Sequence, residues 1–164
     1  MKISQKKNGF GSVGKVAGVV AAACLEMACA GGQLRPTPPP EECPPGAVEA
    51  MLNQLRMTSR RAATFFPIRS MRYITVKEGP VSLAVWEPWG KLPAGTQFFG
   101  RLIFGPGRVY GRFTEARTPE GRFPVCVELM EQDGSCGLES KIDEGSNTAR
   151  IFSTVDLKRV LRFE

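Results

Sequence analysis

GTQFFGRLIFGPGRVYGRFTEARTPEGRFPVCVEL, residues 95–129, alternates between apolar and polar side chains over most of its length. Three runs rich in branched and aromatic residues, 96–104, 108–117 and 122–130, are separated by Gly-Pro-Gly at 105–107 and Pro-Glu-Gly at 119–121. A period of two marks strands with one buried face, and Gly and Pro at these intervals turn consecutive strands antiparallel. The segment is therefore a three-stranded meander. Gly100 and Gly111 fall inside strand patterns, where glycine marks a bulge or a sharp bend.

The same pattern continues on both sides. Strands are expected at 71–76 and 81–86, punctuated by Glu-Gly-Pro at 78–80 and Leu-Pro-Ala-Gly at 92–95. After the meander come Asp-Gly at 133–134, a polar loop over 139–147, and strands at 149–154 and near 159–163. Short strands at this spacing imply a mainly β domain, a small antiparallel barrel or sandwich. One helix precedes it. Gly46 to Met57 places Val48, Met51, Leu52 and Leu55 on one stripe, and Pro44 and Pro45 lie where a helix can start. Arg56, Arg60 and Arg61 then read as a solvated helix end. Residues 46–164 form one domain of ordinary size.

The N-terminal third has another character. Lys2, Lys6, Lys7 and Lys15 precede an uncharged apolar stretch, Val16 to Leu25, followed by small residues with Cys24 and Cys29. That order is the layout of a secretory signal peptide, here residues 1–28. Ten apolar residues are too few to span a bilayer, which takes about 20. A cysteine just after such a stretch resembles the lipobox of bacterial lipoprotein precursors, in which the thiol is lipidated and becomes the new N-terminus. The resemblance covers residues 1–32. Cys29, followed by Ala30-Gly31-Gly32, is the expected lipidation site and Cys24 the alternative; plain cleavage near Ala28 or Ala30 is the other reading. The resemblance implies an exported protein anchored in the bacterial cell envelope, with the membrane as partner through the lipid.

The whole chain carries 22 basic and 16 acidic residues. Four lysines and Glu26 belong to the leader, so the mature part keeps 18 basic and 15 acidic residues, interspersed. That is no footprint for nucleic acid. Residues 29–45 form a tether with six prolines between 36 and 45. Such a segment favours extended polyproline II and reads as a semi-rigid spacer.

Export favours disulfides. Phe123, Val125, Val127 and Leu129 share one face of their strand, which puts Cys126 on the other face with Pro124 and Glu128. A thiol there can meet the proline segment as it crosses the domain. The expected bridge is Cys43–Cys126, with Cys126–Cys136 the alternative.

Histidine is absent, which excludes His-dependent triads, His-metal sites and a histidine proton switch. No cysteine spacing suits zinc, no phosphate loop or dinucleotide fingerprint is present, and no cofactor or metal is implied. Paired carboxylates remain as catalytic chemistry, with Glu115, Glu120, Glu128, Glu131 and Asp133 as candidates; the plain reading of these acids is a solvated strand face, with Glu115 ion-paired across strands. Ligand-binding candidates are Trp86 and Trp89, which bracket a Glu-Pro turn, with Phe99 and Tyr110 nearby in sequence. Two indoles beside a turn either stack on a sugar or proline ring or plug a barrel end. Leu92 to Leu102 resembles a Pro-small-Gly-Thr-Gly pattern of small β-barrels in bacterial type IV secretion channel subunits.

The function expected from these readings is an envelope lipoprotein with a non-catalytic binding or scaffolding β domain, its partner another envelope protein or a cell-wall glycan. The alternatives are a wall-polymer hydrolase and a subunit of a secretion or envelope assembly. The hydrolase requires two acids in one cleft beside a tryptophan. The assembly subunit requires an exposed apolar patch or an unpaired strand edge.

Overall fold

The computed structural model describes residues 35–68 and 70–164. The leader, Cys24 and Cys29 lie outside these residues. The protein is mainly β, as the alternation requires. Six strands close into an antiparallel barrel: β1 (Arg60–Phe65), β3 (Gly79–Val85), β4 (Gln97–Gly105), β5 (Arg108–Thr118), β6 (Gly121–Met130) and β10 (Thr154–Arg159). Their order is β4-β3-β1-β10-β6-β5, and pairing of β4 with β5 closes the ring. The two-residue β7 (Leu138–Glu139) adds to the start of β5. A separate small sheet has the order β2 (Tyr73–Lys77), β9 (Thr148–Phe152), β8 (Ile142–Asp143).

The barrel interior is filled by the inward residues of every strand. Ala63, Phe65, Leu83, Val85, Phe98, Leu102, Val109, Phe113, Val125, Val127, Leu129 and Leu157 are all buried. This is a packed core, as expected for a six-stranded barrel. The register shifts twice around Thr114: in the β4–β5 ladder between Phe99 and Gly100, and in the β5–β6 ladder between Phe113 and Glu115. A Cβ on Gly100 would sit 2.1 Å from the Arg112 carbonyl oxygen, so the two backbones approach as only glycine allows.

Several local expectations are corrected. The helix is short, Ala47–Glu49 running on as a π-helical turn over Ala50–Gln54, and is designated α1. Its buried side is Ala47, Ala50, Met51 and Leu55; Val48 and Leu52 are left partly or wholly exposed. Packing against the barrel chose the small alanines, which allow close approach. Arg60 and Arg61 do not end a helix but open β1, which lies between β3 and β10. The strand placed at 149–154 is two strands broken at Ser153. That buried residue bonds in five directions: its N–H donates to Arg72 O, its hydroxyl donates to Ser70 O and accepts from Arg72 N–H, and its carbonyl accepts from Phe65 N–H and the Thr64 hydroxyl. The chain passes there from the small sheet into the barrel. No strand forms over 160–163; Phe163 makes an isolated bridge to Glu41. The loop over 139–147 contains β8 and a turn in which Asp143 accepts from Gly145 and Ser146.

The proline segment is the largest correction. Residues 35–45 are not a free spacer but a strap laid on the barrel. Arg35 bonds Glu78, Glu144 and Asn147. Arg112 donates to Pro39 O, Glu41 pairs with the backbone of Phe163, and Cys43 is bridged to Cys126 with the Cα atoms 5.4 Å apart. The bridge pairing is the one expected from the alternation of β6.

Candidate functional site

Three surfaces carry chemistry. The first surrounds Trp86, at the end of β3. Its indole is 42% exposed and lines a cleft of about 310 Å³ with Arg60, Arg61, Ala62, Glu87 and Asp156. Arg61 Nη1 pairs with Glu87 at 2.8 Å, and the Glu87 side chain is 73% exposed. The cleft therefore does hold two carboxylates beside a tryptophan, from residues that composition had not singled out.

Trp89 is not part of that surface. It is fully buried, packs on Phe98 with ring centroids 5.5 Å apart, and donates its indole N–H to Thr58 O at 2.9 Å. Its turn continues at Gly90, where φ is +66° and a Cβ would meet Leu55 O at 2.2 Å. Phe99 lies under the Arg117 guanidinium, 3.8 Å from ring centroid to Cζ. The Tyr110 ring packs against Gly105 and Gly137. The four aromatic candidates are thus not brought together, and Trp89 is a core residue rather than a ligand contact. Only Trp86 presents an indole to a cleft.

The second surface is the small sheet. Tyr73 and Phe152 are cross-strand partners whose rings meet edge to face at 5.5 Å. Tyr73 is 64% exposed, Met71 just before β2 is 61% exposed, and Phe152 is also exposed. Arg150 covers one side of the Tyr73 ring. Among the described residues β2 pairs only with β9, so its other edge has free backbone donors and acceptors. Sequence alternation located β2 but did not reveal that its Met71–Tyr73 side faces outward. The signal available was an apolar residue on each face of the run.

The third surface lies beneath the strap on the outside of β5 and β6. Cross-strand neighbours Arg112 and Glu128 are both buried. Arg112 donates to Glu41 Oε2 at 3.0 Å, Pro39 O at 2.7 Å and Glu164 O at 2.8 Å. Glu128 accepts from Glu164 N–H at 2.7 Å and from the Cys136 thiol at 3.4 Å. Burial pushes the Glu128 carboxyl above its ordinary range, against the opposing pull of those two donors and of Arg112. Burial and Glu128 push the Cys136 thiol up to about 12.

The remaining acids scatter. Glu115 pairs with Arg117 along β5 rather than across strands, Glu131 accepts from Glu139 N–H, and Asp133 accepts from Ser135. Among the described residues no group of acids or cysteines is set to hold a metal, and no helix is long and apolar enough to cross a membrane. Neither a scan against protein-family models nor a search of curated proteins finds a match. The functional reading rests on the geometry above.

Proposed function

We propose that the protein is an exported bacterial envelope lipoprotein, anchored through Cys29, whose barrel is a non-catalytic scaffold that docks another envelope protein on the small sheet. The single observation that carries the docking is the free edge of β2 flanked by exposed Tyr73, Met71 and Phe152. A bare edge beside an apolar patch invites strand addition, in which backbone hydrogen bonds supply affinity and alternate side chains supply selectivity. The Cys43–Cys126 bridge supports export, because structural disulfides persist in oxidising compartments. This form of the proposal is the envelope-assembly subunit rather than a free-standing receptor.

The Trp86 cleft favours a second reading, binding or cleavage of a wall glycan. An exposed indole is a suitable platform for a sugar ring. Cleavage also requires a carboxyl shielded well enough to act as acid. Glu87 is mostly in water and committed to Arg61, and Glu128, the buried carboxyl, lines none of the clefts described. Glycan binding without hydrolysis is the form that this cleft supports.

A photo-crosslinking amino acid placed at Tyr73 in intact cells tests the docking. It is expected to capture one envelope protein that the same probe at Leu161, exposed elsewhere on the domain, does not capture. Equal capture at the two positions overturns the docking face. Recovery of the chain in the cytosol with Met1 still attached overturns export and anchoring, whatever the crosslinks show.

A further inference from the structure

Beside the strap lies a cavity of about 370 Å³ lined by Phe99, Arg101, Arg112, Glu115, Arg117 and Glu41 among others. It sits beside the bulge at Thr114, the extra residue of β5 opposite Phe99 and Gly100 of β4, and near the second register shift, between β5 and β6. Bulges re-aim side chains and recur beside binding sites. Here they gather three guanidinium groups against two carboxylates, a local excess of positive charge.

The donors are only partly used. Arg101 gives Nη2 to Glu41 Oε2 at 2.5 Å, and Arg117 gives Nε to Glu115. Each of these side chains makes one such bond among the described residues and is otherwise substantially exposed. Arg112 is only 4% exposed and its Nε is buried with no partner. That atom is closed to solvent, and the donors an anion in the cavity can reach are those of the half-exposed Arg101 and Arg117. Glu41 already places one carboxylate among these guanidinium groups, accepting from Arg112 Nη1 and Arg101 Nη2. Its backbone is fixed by the bridge to Phe163 and by Cys43 two residues on, so its carboxylate is a resident occupant of one side of the cavity.

We propose that this cavity binds a small oxyanion, a carboxylate or a phosphate, between Arg101 and Arg117, with Glu41 as an intramolecular competitor that limits its affinity. The planar guanidinium suits both groups, since each presents paired oxygens to its fork of N–H donors. The site is independent of the β2 face and of any anchoring.

The test is titration of the purified full chain with inorganic phosphate in one arm and glucuronate in the other, at constant ionic strength. Binding is followed by calorimetry and by the amide resonances of Gly100, Arg101 and Thr114. Saturable binding is expected in at least one arm, and the arm that saturates identifies the oxyanion. Arg101→Gln and Arg117→Gln should each weaken it about tenfold, the effect of losing one charge-assisted contact. Both side chains are substantially exposed, so either variant carries the test if the other fails to fold. Glu41→Gln should tighten binding severalfold. Shifts that fail to saturate in both arms by about 50 mM, or affinities unchanged in both arginine variants, overturn the site. Unchanged or weaker binding by Glu41→Gln overturns the competitor role.

Discussion

The outside of β5 and β6 and the outside of the small sheet are both strand surfaces, yet the chain treats them in opposite ways. On β5 and β6 even the outward residues are enclosed: Arg112, Cys126 and Glu128 are buried under α1, the strap and the last residues of the chain. On the small sheet Tyr73 and Phe152 stand in water, and among the described residues no strand pairs with the second edge of β2. Covering a sheet face removes apolar area from water and protects buried polar pairs. Leaving one uncovered forgoes that stabilisation, which natural sheets normally do at sites of recognition. The first surface thus helps hold the fold together, and the second is left exposed, as the docking proposal requires.

The largest expected effect breaks the first surface. Replacing Cys43 and Cys126 by alanine opens a loop spanning 83 residues. In the chain-entropy account that costs about 4.5 kcal/mol. Guanidinium unfolding of the double variant should show a midpoint far below that of the oxidised protein, while reduction of the parent should reproduce the loss. A midpoint unchanged by both treatments would mean that the strap adds nothing to stability, and the contrast with the small sheet would collapse.

The two tryptophans sharpen the contrast within five residues of sequence. Trp89→Ala removes a fully buried indole and its hydrogen bond to Thr58, at an expected cost of about 3–5 kcal/mol. Trp86→Ala removes a half-exposed ring at the cleft edge, and the change in stability should stay below about 1 kcal/mol. Equilibrium unfolding of the two variants, side by side, checks the difference. Equal costs would place Trp86 in the core and remove the cleft as a binding surface.

A smaller effect distinguishes the surfaces by sign. Under the strap, Glu128 holds its proton more tightly in the folded protein than in the unfolded chain. Its contribution is present in full below the ordinary value of 4.5 and is lost as pH rises through the elevated one. In the turn of the small sheet, Asp143 is held below 3.8 by the Ser146 hydroxyl and the Ser146 and Gly145 amides. That contribution is present above 3.8 and is lost as the pH falls through the lowered value. Urea midpoints measured against pH should therefore decline above pH 4.5 in the parent and flatten in Glu128→Gln, while Asp143→Asn should blunt the loss on the acid side. Partial burial and Glu128 hold the Cys136 thiol protonated, so a thiol reagent at pH 8 should label it much more slowly in the native protein than after unfolding. Rapid labelling of the native protein would show that the face is open.

The legible parts of this molecule were those set by neighbours in sequence. Gly105-Pro-Gly107 and Pro119-Glu-Gly121 fixed two hairpins because turn chemistry is local, and the alternation of β6 put Cys126 on the side where Cys43 arrives. β1 was hidden because Arg60-Arg-Ala-Ala carries little strand preference of its own; Ala63 and Phe65 are inward only because β3 and β10 flank them. The docked strap was hidden for a related reason. It is held by Arg112, a charged residue whose default reading is solvated, and its partners Pro39, Glu41 and Glu164 lie 52 to 73 positions away in the chain. Of the four aromatic candidates, composition alone could not separate Trp86 from Trp89, because burial depends on the turn at Gly90 meeting the end of α1.

The smallest stability effect concerns the exposed pair. Tyr73 and Phe152 touch each other across β2 and β9 and border a cleft with Met130, Leu138 and Val155 while staying exposed themselves, so Tyr73→Ser should forfeit little beyond the cross-strand contact, about 0.2–1 kcal/mol. Phe152→Ser should cost a similar amount. If the small sheet is a docking face, the same substitutions should abolish capture by a probe moved to the neighbouring exposed Met71, while the unfolding midpoint barely moves. Loss of capture together with a large fall in the midpoint would make the pair a structural element. Full capture with both rings gone would leave the bare edge of β2 without the side chains that give it selectivity, and the docking proposal would fail.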